Sequence, residues 1–100
     1  MAQVRITRPA ETDLLEGYVC YEQQQAGIGD YFLDSLYADI DALALYAGIH
    51  PKPDGRLHRT LAARFPFAIY YGLDGEIATV VAVLDCRQNP DSIVQRLGRT

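Results

Sequence analysis

The sequence predicts an α+β domain: an N-terminal strand, an antiparallel helical hairpin packed on a mainly antiparallel sheet with a C-terminal three-stranded meander, and a short final helix. Three observations carry this reading. Apolar residues recur at helical spacing in two successive segments before residue 48. A loop from Gly48 to Gly55, with two prolines and two glycines, then forbids regular structure. Beyond it the pattern changes to the short alternating and continuous apolar runs of strands. Helices segregated from strands in this way build one helical layer against one sheet.

Taken in order, Val4 and Ile6 alternate with Arg5 and Thr7, the period of a short strand with one buried face. Thr7-Arg8-Pro9-Ala10-Glu11 reads as a helix start: a hydroxyl precedes a first-turn proline, and an acid follows where the helix dipole favours it. Leu14, Tyr18 and Tyr21, with Leu15 and Val19 beside them, form that helix's apolar stripe, and Gly27 ends it. Phe32, Leu36, Ile40, Leu43 and Ala47 form the stripe of a second helix, widened by Leu33, Tyr37 and Leu45. After the loop, strands are expected over His58–Phe65, Phe67–Gly72 and Ile77–Leu84, the last central because it is apolar on both faces. Asp74-Gly75 predicts a type I′ hairpin turn, and Pro90 permits a last helix over Asp91–Leu97. The helical hairpin covers one sheet face, and the other is expected to be wet or kept for a partner.

One hundred residues make a single domain, 1–100, with 49% apolar and 22% charged residues, which argues against disorder. The longest apolar stretches lie inside residues 42–49 and 77–84. Both fall short of the roughly 20 residues a bilayer span needs. With no signal-peptide profile at the N-terminus, the expectation is a soluble cytosolic protein without membrane contact. Cys20 and Cys86 are too far apart for a CxxC site and read as reduced thiols. The net charge of −4 divides unevenly. Residues 1–50 hold eight acids against Arg5 and Arg8, for −6, while residues 51–100 hold seven bases against five acids, for +2. An anionic partner would meet the second half only.

Four motifs in order carry a family resemblance over nearly the whole chain: Ala10-Glu11-Thr12-Asp13-Leu14 followed by Tyr18 and Tyr21; Gly27-Ile28-Gly29-Asp30-Tyr31-Phe32-Leu33; Arg64-Phe65-Pro66-Phe67-Ala68-Ile69-Tyr70-Tyr71; and Ala82-Val83-Leu84 leading into Asp85-Cys86-Arg87-Gln88-Asn89-Pro90. The chain resembles the RelE/ParE toxins of bacterial type II toxin–antitoxin (plasmid stabilisation) systems, closer to the ParE-like branch. The resemblance implies a toxin that inhibits growth by binding a cellular target, commonly DNA gyrase, and that a cognate antitoxin neutralises by wrapping a segment along its groove. Other relatives cut mRNA on the ribosome, which needs a base, an acid and cations for the developing phosphorane charge.

This chain departs from the cutting members. Ala68 stands where they place an arginine, no aromatic residue follows Tyr71, Lys52 is the only lysine, and Asp85 and Gln88 replace a histidine and an arginine. An acid near the phosphate raises the cost of holding it, so ribonuclease activity is disfavoured. Two alternatives stay open: an atypical ribosome-dependent mRNA endonuclease, or a decayed toxin that binds only its antitoxin.

Arg87, Arg59 and His58 are the candidates for any catalytic role; Arg56, His58, Arg59, Arg64, Tyr71 and Arg87 are those for binding target or antitoxin. Each has a structural reading beside the functional one. Arg87 can pair with Asp85 or Asp91, the basic residues around Arg59 can simply deter strand-edge aggregation, and Tyr70 and Tyr71, on opposite strand faces, can both be core. His50 reads as a solvated loop residue. No histidine or cysteine set has metal-ligand spacing, so neither metal nor other cofactor is expected. A homodimer is left open.

Overall fold

The computed structural model describes all of residues 1–100. The chain runs β1 (Gln3–Ile6), α1 (Arg8–Gln24), α2 (Ile28–Asp41), α3 (Leu43–Tyr46), β2 (His58–Leu61), β3 (Phe67–Asp74), β4 (Ile77–Asp85) and α4 (Pro90–Leu97). The four strands lie in the order β1-β4-β3-β2, with β1 parallel to β4 and the other two pairs antiparallel. β4 is therefore central, as its two apolar faces predict. Val81 has no partner on β3, because Tyr70 pairs with Ala82 and Tyr71 with Val80. This bulge shifts the alternation and lets Val80 and Val83 face the same layer.

The helical hairpin forms as expected. Thr7 caps α1, its Oγ1 accepting from the Ala10 N–H. At the start of α2 the Glu22 carboxylate accepts from the N–H groups of Gly27 and Gly29 at 2.9–3.1 Å, an anion on free helix donors. The two helices approach closely because α1 presents no side chain at Gly17. A Cβ there would lie 2.5 Å from the Phe32 ring. Their stripes bury Ala10, Leu14, Phe32, Leu36 and Ile40 against Phe67, Ile69, Tyr71, Ala78, Val80 and Val83 of the sheet. Tyr21, Phe32, Phe65 and Phe67 stack and abut at centroid distances of 4.9–6.3 Å.

Several boundaries differ from the expectation, each for a physical reason. The second helix breaks at Ala42, so Leu45 is 68% exposed and does not widen the stripe. Leu15, Val19 and Tyr37 also face solvent. β2 ends at Leu61, and Ala62–Pro66 turns instead of continuing as strand, since Pro66 cannot donate to a ladder. The β3–β4 loop is Gly75-Glu76 with positive φ at Gly75 alone, at 61°, the glycine-first pattern of a type II′ turn and not the two positive φ of type I′. The outer sheet face is neither wet nor open along its length. Leu57, Ala68, Tyr70, Ala82 and Leu84 form a second apolar cluster there, roofed by Ile93 and Leu97 of α4.

Candidate functional site

β1 leaves the sheet after Ile6, so β4 continues beyond Val80 with one edge lacking a strand. Two side chains take the place of that strand. Asp13 on α1 accepts from the Val83 N–H at 3.0 Å, and Arg96 on α4 reaches the Val81 carbonyl at 3.4 Å. The two side chains also bind each other in a two-point pair, Arg96 Nη1 to Asp13 Oδ1 and Nη2 to Oδ2. A cavity of about 410 Å³ lies over this edge between α1, β4 and α4. Arg56 holds the same C-terminal end of α4, donating to the carbonyls of Leu97 and Thr100 at 2.7 and 3.2 Å and to Thr100 Oγ1 at 3.1 Å. A cation on the last carbonyls of a helix satisfies acceptors that the helix leaves free. No residue of α4 is fully buried, so these polar clamps add to the packing of Ile93 and Leu97 in holding it on the sheet.

His58 and Tyr71, expected to face a partner, lie inside the fold. Tyr71 is fully buried, accepts from the Gly48 N–H at 2.9 Å and meets His50 Nδ1 at 2.5 Å. His58 stacks on the Tyr71 ring at 4.9 Å, and its Nδ1 donates to the His50 carbonyl. Together these residues fasten the Gly48–Gly55 loop to β2 and β3. His50 is thus a tether and not a solvated loop residue. Burial, followed by the neighbouring His58, holds its pKa below the ordinary histidine value.

Three of the six expected binding residues come together, where β4 ends and the β2–β3 turn begins. Arg59 extends over Tyr70, with Nε donating to Tyr70 Oη at 3.2 Å and Nη2 directed to Cys86 Sγ at 3.7 Å. Arg87, next along the chain from Cys86, is held by Asp85 at 2.8 Å and donates to Tyr21 Oη at 3.2 Å. Tyr21 packs edge-on against Phe65, Phe65 touches Tyr31, and the Arg64 guanidinium lies 6.0 Å from the Tyr31 ring centre. Contacts run from Arg59 through Cys86 to Arg87, and from Arg87 through Tyr21, Phe65 and Tyr31 to Arg64. They form a crescent that bends round the end of the sheet from the outer face, where Tyr70 lies, to the helical face. Arg59 and Arg64 have no carboxylate within ion-pair distance, whereas Arg87 does. The Arg87 hydrogen bond lowers the Asp85 pKa from its ordinary value, and Asp85 in turn raises that of Arg87.

Chemically, the crescent can hold carboxylates or phosphates through planar donor forks and can stack on flat or apolar groups. Both histidines have their Nδ1 atoms engaged in the loop tether, away from the crescent, so no imidazole base stands among these arginines. Arg56, grouped with them by sequence proximity, is committed to α4. Sequence reasoning missed the pairing of Asp13 with Arg96. One signal was available: Asp13 falls three residues after Ala10 and next to Leu14, so it is a carboxylate on the buried stripe of α1.

No family model matches the chain, and no curated protein matches it. Among solved structures it is similar to a chain of the chromosomal ParDE TA system from P. aeruginosa. That likeness has a TM-score of 0.76 at 17% identity and covers 83% of this chain and 94% of the other. The strand, helical hairpin, mixed four-stranded sheet and final helix are therefore the ParE-like fold.

Proposed function

We propose that this chain is the toxin of a toxin–antitoxin pair, ParE-like in action: it arrests growth by binding DNA gyrase, and a cognate antitoxin neutralises it by occupying the same surface. The observation that carries the reading is the crescent of Arg59, Arg87 and Arg64 on a ParE-like fold, with two of its three guanidiniums unpaired. Binding, not strand cleavage, suits the crescent, because no imidazole stands among its cations and the one carboxylate beside them, that of Asp85, is engaged by Arg87 at both oxygens. The two-point Asp85–Arg87 contact favours a second reading, a module that has lost its target and holds only the antitoxin.

The deciding experiment is induction of the chain in a bacterial host with and without co-expression of any small protein that a neighbouring gene encodes. Growth arrest that co-expression relieves supports the toxin. Normal growth with a stable complex between the two proteins supports the second reading, and absence of both effects overturns both. New mRNA 5′ ends at the ribosomal A site after induction would replace the binding mechanism with a nuclease.

A further inference from the structure

The crescent lies where β4 ends; a different surface surrounds α3, near where β4 begins. Leu45 and Ile49 are 68% and 73% exposed, and Tyr46, Leu61, Leu73 and Met1 are exposed beside them. These side chains are not scattered. Leu45 and Leu73 line one shallow depression of about 240 Å³, with Ala44, Ala47 and Glu76. Tyr46 and Leu61 line another of about 180 Å³, with Asp39, Leu43 and His50. α3 is the ridge between the two, and Ile49 is tied to it by its N–H on the Tyr46 carbonyl. Contiguous exposed apolar surface of this kind marks an interaction site on a chain of this size.

The charge around the ridge is mainly negative, with the Met1 amino group the single cation at its edge. Asp39 and Glu76 line the depressions, and Asp41 and Asp74 stand exposed on the adjoining ends of α2 and β3. No lysine or arginine lines either depression. α2 has no basic residue in its last turn, so its carbonyl end adds to the negative potential. His50, the one histidine lining them, has its pKa lowered and does not offset these acids at neutral pH, which leaves the Met1 amino group against four carboxylates.

From this we propose that the ridge is a second docking surface, which takes a cationic amphipathic segment of another protein. The segment's apolar side chains seat on Leu45, Tyr46, Ile49 and Leu61, and its lysines or arginines meet Asp39, Asp41, Asp74 and Glu76. The charge selects this occupant. A second copy of the chain would set acids against acids across a twofold axis, and nucleic acid or an anionic membrane would be repelled.

The test uses the full chain, isotopically labelled, titrated with a synthetic helix-forming Leu/Lys peptide of about four turns and followed by amide chemical shifts. Shifts centred on Leu45, Tyr46, Ile49 and Leu61, with affinity that weakens as salt is added, are expected. The double variant Leu45→Ser/Ile49→Ser should weaken binding by about tenfold or more. Both residues are exposed, so an unchanged thermal transition shows that folding is intact; if the variant is destabilised, Leu45→Gln/Ile49→Gln is titrated in its place. Shifts centred elsewhere, unaltered affinity in the folded variant, no binding, self-association through Leu45, or stronger binding to phosphatidylglycerol vesicles than to the peptide would each overturn the proposal.

Discussion

Replacing Asp13 by alanine tests how the missing strand beside β4 is made good. The Asp13 side chain is 7% exposed, that of its partner Arg96 is 23% exposed, and the same carboxylate accepts from the Val83 N–H. The change removes charge-assisted hydrogen bonds worth roughly 1.5–3 kcal/mol and leaves Val83 N–H without its acceptor, at roughly 1 kcal/mol or more. A loss of about 3 kcal/mol follows, with a fall in Tm on the order of 15 °C for a chain of this length. Asp13→Asn keeps an oxygen for Val83 and should lose about half as much. Arg96→Ala should lose about 2–3 kcal/mol because it strands a buried carboxylate. Urea unfolding followed by circular dichroism measures each variant, and the double variant closes the cycle. Losses that fall short of additivity by about 1–2 kcal/mol confirm direct coupling. Single variants within about 0.5 kcal/mol of the parent would show that the pair is an ordinary surface contact and refute the reasoning.

Three further outcomes follow. Gly17→Ala gains about 1 kcal/mol of helix propensity, but its Cβ would collide with the Phe32 ring at 2.5 Å. Overpacking at roughly 1–3 kcal/mol should exceed that gain, so urea unfolding should show net destabilisation. His50 has a folded pKa below 6.5, so the unfolded chain takes up its proton first as pH falls. Stability should decline from pH 6.5 down to that lowered value, and the decline should be shallower in His50→Gln. Asp85→Asn frees the Arg87 guanidinium; if the crescent binds the target, it should arrest growth at lower induction, while Arg87→Ala should abolish arrest with a normal circular dichroism spectrum.

The helical hairpin and the central strand were legible because their signals are local: Leu14, Phe32, Leu36 and Ile40 repeat at helical spacing, and residues 77–84 are apolar on both faces. The break at Ala42 was not, since Leu43 continues the stripe even though Leu45 turns outward. The arginines show a similar division. Arg87 and Asp85 are two residues apart, and their pairing could be weighed from sequence alone. The commitment of Arg56 to the C-terminus of α4 joins residues 41 positions apart and has no local signature. The same is true of Asp13 and Arg96, separated by 83 positions. The burial of His58 depends on where the Gly48–Gly55 loop folds back, which His50 and Tyr71 decide across 21 positions.

The central claim, that the arginine crescent grips the target, is tested most directly with purified DNA gyrase in a supercoiling assay. The parent chain should inhibit supercoiling, and the folded triple variant Arg59→Ala/Arg64→Ala/Arg87→Ala should not. Equal inhibition by both, or growth arrest by a parent chain that leaves supercoiling intact, would contradict it.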